Sequence, residues 1–230
     1  MSLLALTPLA ATGCAAAALA VGVRRRGQTP LLLAMLLAAA LGASELVMLL
    51  WPAVNHTWTA ANSLPFQLSD IATGVAILAL LHPRPPWCEL AYLWGVSAGL
   101  LGLSFPAIGA AFPSPLYFAF YVDHGTLVTV GILLGLGGQL HLGWRAVAGS
   151  WVATTALAVV AGIANLATGG DYMFLQQPPG NWNPLVLMGP GHWYVLTAWA
   201  LCPLVFSLLA VPVWGREPGP RRGPAAQSAK

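Results

Sequence analysis

The nine Lys and Arg residues of this 230-residue chain fall in four places: Arg24, Arg25 and Arg26; Arg84; Arg145; and the segment 216–230. Between these places run apolar stretches long enough to cross a bilayer twice. Basic residues bias a loop to the cytoplasmic side, so four basic sites separated by paired crossings predict about seven transmembrane helices. The N-terminus is then outside and the C-terminus cytoplasmic. With 58% hydrophobic and only 7% charged residues, the chain cannot cover a soluble surface with polar side chains. The fold class expected is an all-α, integral, multi-pass membrane protein.

A span needs roughly 20 apolar residues, and the qualifying segments are 3–23, 31–51, 64–81, 87–105, 115–139, 146–168 and 191–213. Residues 1–214 then form one helical bundle. Residues 215–230, rich in Pro, Gly and Arg, are expected to be a disordered cytoplasmic tail. The net charge of +3 reads as a topology signal and an affinity for anionic inner-leaflet lipid, with no nucleic-acid partner implied. Cys14, Cys88 and Cys202 fall in separate spans and suggest no disulfide framework. Ala11-Thr12-Gly13-Cys14 faintly resembles a lipoprotein cleavage box. No basic residues precede it, however, so the first segment reads as an uncleaved anchor. Gly95 and Gly99, and Gly131 and Gly135, recur at four-residue spacing, which lets helix backbones approach closely.

Within the spans stand Glu45, Asp70, Asp123 and His124, each costly in hydrocarbon and therefore in need of a reason. The topology places Gln67, Ser69 and Asp70 one to two turns below the outer surface, and Asp123 and His124 roughly 12 to 14 Å below it at about 1.5 Å per residue. Glu45 and Asn165 come to the same outer stratum from the second and sixth spans. On the fifth span Tyr117, Tyr121 and His124 lie at i, i+4 and i+7 and make one polar stripe, with Asp123 turned about 100° away. His124 is therefore the inward-looking candidate. Gln67 and Asp70, and Ser69 and Thr73, give the third span a polar face as well. A pocket between the third and fifth helices is the economical inference.

Plainer uses are open to the same residues. Ser69 and Thr73 can bond their own helix backbone, Glu45 can be a neutral structural partner, and Asp123 can pair within the bundle. His56 and His192 read as interfacial. Most tryptophans mark the membrane surfaces. The outer loop from 169 to 191, carrying Asp171, Tyr172, Gln176, Gln177, Asn181, Trp182 and Asn183, is too long to be a simple connector.

Leu64-Pro65-Phe66-Gln67-Leu68-Ser69-Asp70-Ile71-Ala72 is followed by His124-Gly125, Asn165, Asp171-Tyr172-Met173, Pro178-Pro179 and Gly189-Pro190-Gly191-His192-Trp193-Tyr194. Together these resemble the YwaF family of bacterial integral membrane proteins over most of the chain. That family is similar to the animal transmembrane protein 164 group, described as membrane acyltransferases acting on ether phospholipids through a cysteine and a histidine. The resemblance implies lipid acyl chemistry, a membrane-lipid partner supplying phospholipid acyl chains, and a place in the bacterial inner membrane. Where the family pattern reads Leu-Cys-Asp this chain reads Leu68-Ser69-Asp70, and a serine needs a base to remove its proton. His124 is the sole mid-span histidine.

The resulting expectation is a lipid acyltransferase or hydrolase. Ser69 attacks an ester carbonyl, His124 takes and returns the proton, and Asp70 or Asp123 orients the imidazole. Gln67 or Asn165 donates to the oxyanion, Glu45 and Tyr121 line the polar pocket, and the loop with Asp171, Tyr172 and His192 acts as a lid. No cofactor is expected. A second reading is a small-solute or proton-coupled transporter, or a ligand sensor, that uses Glu45, Asp70 and His124 as a relay. A third, a zinc hydrolase, would need His56, His124 and His192 to converge.

Overall fold

The computed structural model describes residues 3–26, 29–138 and 140–215, with side chains from Thr12 onward, Cys14 apart. Of the tail expected over 215–230, residues 216–230 lie outside the described residues, as does the side chain of Cys14. The described residues form seven α-helices: α1 Leu3–Arg26, α2 Leu31–Val54, α3 Leu68–Leu81, α4 Pro85–Ser104, α5 Pro115–Leu136, α6 Trp144–Thr168 and α7 Trp193–Ala210. Short 3-10 turns, Tyr172–Phe174 and Pro184–Leu187, interrupt the loop between α6 and α7. Among the described residues there is no strand. One isolated parallel bridge, Leu142 to Trp214, ties the α5–α6 connection to the end of α7.

The starts are chemically marked. Pro85 and Pro86 open α4, and Pro115 opens α5 behind Ser114. A proline at the first helical position lacks only an N–H that would have no partner there. Ser114 accepts the Leu116 N–H at 3.3 Å, the usual service of an N-cap hydroxyl. Gly169 ends α6 in the left-handed conformation, φ 71°, where a side chain would be strained.

Among the described residues, four helices are long and apolar enough to cross a membrane: α2, α5, α6 and α7 with its following turn, Trp193–Val213. α3 is an exception to the expected lengths. Its sequence promised a span from residue 64, yet the helix begins at Leu68 and has 14 residues, about 21 Å at 1.5 Å per residue. That is short of the ~30 Å hydrocarbon core. Pro65 and a cap at Gln67 set the later start.

α5 is the central helix. Eleven of its 22 residues are buried, against three of 18 in α7, and it packs on α1, α2, α3 and α4. The α4–α5 seam is built from the glycines. A Cβ on Gly95 would stand 3.0 Å from the Leu127 carbonyl oxygen, and one on Gly99 would stand 2.6 Å from Val128 Cγ2 and 2.9 Å from the His124 carbonyl oxygen. Gly131 meets Val96 and Tyr92 in the same way. The close approach expected of small residues at this spacing is thus realised within one helix pair. α6 and α7 pack on each other and on α4, leaving most of their surface outward.

Candidate functional site

The polar residues of α2, α3 and α5 meet around Asp123, which is completely buried. Thr73 donates to its Oδ1 at 2.8 Å. Ser44 approaches the same oxygen at 3.5 Å, but its single proton has nearer acceptors in the carbonyls of Ala40 and Leu41, at 2.9 and 3.0 Å. Thr73 is therefore the strong partner. Asp123 stands off the tyrosine stripe, as its spacing predicts, but it is the Asp123 side of α5 that is enclosed, and Asp123 pairs within the bundle. α2 and α3 flank α5 on the Asp123 side, while Tyr117 and Tyr121, with ring centroids 4.7 Å apart and planes tilted by 49°, lie on a half-buried face.

Two carboxylate oxygens in this region, Asp123 Oδ2 and Glu45 Oε2, are buried without a hydrogen-bond partner. Glu45 is within electrostatic range of Asp70 and of Asp123. A buried acid lacking a partner is costly, so this cluster is where the fold tolerates strain in its polar accounting. For Glu45 as a neutral structural partner, Oε2 has no hydrogen bond among the described residues.

His124 is buried, with 6% of its surface exposed. Its Nδ1 lies 3.0 Å from the Phe120 carbonyl oxygen and 3.5 Å from Asp123 Oδ2. The shorter contact decides the ring's orientation, because a carbonyl only accepts and Nδ1 must then carry the proton. The imidazole also stacks on the Phe120 ring, centroids 4.1 Å apart at 26°. No hydrogen bond reaches Nε2 among the described residues.

Ser69 stands in the first turn of α3 and donates to Asp70 Oδ1 at 3.4 Å. Among the described residues no hydrogen bond joins it to His124. Asp70 also accepts the Gln67 backbone N–H at 2.9 Å through Oδ2, and the Gln67 side chain accepts the backbone N–H of Asp70 in return. This reciprocal cap explains the helix start. Its Gln/Asp composition hid it within an apolar run.

The two candidate oxyanion amides are used elsewhere. Asn165 is buried and holds Tyr172 at both ends: Oδ1 accepts the Tyr172 N–H at 2.7 Å and Nδ2 donates to the Tyr172 carbonyl at 3.0 Å. Gln67 Oε1 accepts the Met173 N–H at 2.8 Å. The Tyr172 hydroxyl in turn donates to the Ala60 carbonyl and accepts the Leu64 N–H, at 2.8 and 2.9 Å. Asp171 accepts the N–H groups of Gln176 and Gln177. Met173 and Phe174 adopt positive φ, 57° and 52°, a conformation non-glycine residues take at a cost. The loop is thus fastened over the start of the short α3, where a full-length helix would otherwise stand. His192 caps α7 and is exposed, as is His56.

Sequence reasoning missed Ser44, Phe120 and Gly102. Ser44 directly precedes Glu45, but nothing local marks it. Phe120, four residues before His124, was legible as a helical neighbour. Gly102, whose missing side chain faces the His124 ring, has no sequence signal, since it lies on another helix. No group of three or more His, Cys, Asp or Glu side chains among the described residues could hold a metal ion.

Comparison with curated proteins and with solved structures gives no match. A family model does match: that of the TMEM164 family, over residues 1–210 of the 230. The helical, apolar chain with its buried acid-and-histidine cluster therefore belongs to the TMEM164 family.

Proposed function

We propose that this membrane protein performs lipid acyl chemistry, as an acyltransferase or a hydrolase, at a Ser69/His124 site in the outer half of the bilayer. All seven helices cross or enter the membrane, with the N-terminus outside, and the chain is the YwaF-like, bacterial form of its family. The observation that carries the reading is the state of His124. With Nδ1 committed to the Phe120 carbonyl, the neutral ring has a bare Nε2, the atom a general base needs.

In the reaction, the Ser69 hydroxyl oxygen attacks the ester carbonyl of a phospholipid while its proton passes to His124 Nε2. The carbonyl–oxygen bond to the lipid alcohol then breaks, the alcohol leaves with that proton, and acyl-Ser69 remains. A second alcohol or a water molecule reverses these steps and regenerates the hydroxyl. Ser69 rests against Asp70, so the base is engaged once bound ester draws the hydroxyl away. Catalytic contacts commonly tighten only in the substrate complex. Asp123 and Thr73 hold α3 beside α5, and the tethered loop screens the site from water.

Fluorophosphonate labelling and lipid turnover of purified protein test this. Both are expected in the wild-type protein and lost in Ser69→Ala and His124→Ala. Labelling and turnover unchanged in both variants would remove the reading.

A second reading rests on a different observation, the buried oxygens of Glu45 and Asp123 that have no hydrogen-bond partner. Such a cluster suits an intramembrane proton relay for a transporter or sensor. Proton-driven solute flux into liposomes, lost in Asp123→Asn, would favour it over acyl transfer.

A further inference from the structure

We infer that Gly102 of α4 is a positioning residue for His124, an assignment that rests on the acyl-transfer reading and gives it a second support for the base. A Cβ built on Gly102 would collide with His124 Cδ2 and Nε2 and would come 3.0 Å from Cγ. The absent side chain is thus a slot for the edge of the imidazole that carries the bare nitrogen. Phe120 fixes the ring from its own helix, by stacking at 4.1 Å and by the carbonyl on Nδ1 at 3.0 Å. Three contacts then define the ring: its face by Phe120, its Nδ1 edge by a backbone carbonyl, and its Nε2 edge by α4.

On α4 the slot differs from the other two seam glycines. Gly95 and Gly99 are opposed by backbone atoms of α5 and by Val128, whereas the three atoms nearest to a Cβ on Gly102 all belong to the His124 imidazole; on α5, Gly135 makes room in the same way for the Tyr92 ring. Seam packing is sufficient reason for the first two glycines. It does not account for Gly102, because the nearest atoms that a Cβ there would meet are all imidazole atoms. A methyl group at this position leaves α5 its backbone path and displaces the ring, turning Nε2 out of the orientation that Phe120 sets.

The experiment compares Gly102→Ala with Gly95→Ala in the full chain in detergent micelles, reading the rate of fluorophosphonate labelling and the imidazole 15N resonances of His124. Gly102→Ala is expected to shift those resonances and to slow labelling by about tenfold or more, since a positioned general base contributes about 10²- to 10⁴-fold. Gly95→Ala, which strains the same helix pair against Leu127, is expected to leave the ring signals in place. Equal behaviour of the two variants, or unmoved His124 resonances in Gly102→Ala, would overturn the assignment. Thermal unfolding supplies a measurement independent of activity. The destabilisation caused by Gly102→Ala should largely vanish in a His124→Ala background, where the slot is empty, and its persistence there would also overturn the assignment. Failure of the acyl-transfer reading is distinguishable: it appears as normal labelling in His124→Ala, with the resonance shift in Gly102→Ala still present.

Discussion

The α4–α5 pair and the α6–α7 pair use opposite means of joining two helices. The first meets through glycines, with carbonyls and ring edges in direct opposition, and it encloses His124. The second meets through large side chains at its edge. Trp151 and Trp199 lie with ring centroids 4.8 Å apart, tilted by 40°; Trp151 donates to the Trp199 carbonyl at 3.1 Å, and Trp199 donates to Thr155 at 3.0 Å. Close backbone packing leaves few alternative arrangements, whereas tryptophans on an outward face can adjust. A buried imidazole held to one orientation requires the first kind of neighbour, and His124 sits at that seam.

The contrast is broken most severely by overfilling the seam. Gly99→Val is expected to destabilise the protein by about 3 kcal/mol, the upper part of the range for inserting bulk into a packed interior, and to abolish labelling at Ser69. Thermal or denaturant unfolding in micelles reads this, and a loss below about 1 kcal/mol would mean the α4–α5 pair is as adjustable as α6–α7. Next in size is Tyr172→Phe, which removes the hydroxyl bridging Ala60 and Leu64 and leaves the Leu64 N–H unpaired. The expected cost is about 2 kcal/mol, with faster proteolysis of the 169–191 loop as the local sign.

Thr73→Val, nearly isosteric, strips Asp123 of its 2.8 Å donor and should cost about 1 kcal/mol, near the scale of hydrogen bonds between helices in membranes. Glu45 and Asp70 remain close, so the loss of turnover should exceed what this stability change explains. Smallest is Trp199→Phe, with an expected cost of about 0.6 kcal/mol and unchanged turnover. If Trp199→Phe proved as damaging as Gly99→Val, the distinction between the two pairs would collapse.

The helices were legible because apolar runs between prolines and basic clusters leave little choice of secondary structure. Pro115 opens α5 at the expected position, and α4 opens at Pro85, two residues before the expected span over 87–105. The glycine spacing likewise pointed to close packing, and the 169–191 loop was legible as more than a connector by its length. The beginning of α3 was not legible, because residues 64–67 are apolar enough to read as helix and the Gln67/Asp70 cap departs from the common Ser/Thr and Glu/Gln pairing. Orientation around α5 was misjudged at Asp123. A stripe of tyrosines suggests a wet interior, but tyrosine is equally at home on a half-buried face, and only the positions of α2 and α3 reveal which side is enclosed. Asn165 and Gln67 were expected to donate to an oxyanion, but nothing in the sequence tells an amide facing substrate from one fastening a loop. Those bonds are to residues as far as 106 positions away.

The most direct measurement is peptide mapping by mass spectrometry of the purified protein after fluorophosphonate treatment. The expected result is a single adduct on Ser69, absent from the His124→Ala protein. Unmodified Ser69 in a folded preparation that turns over phospholipid esters, or an adduct on another residue, would contradict the assignment of Ser69 as nucleophile and His124 as its base.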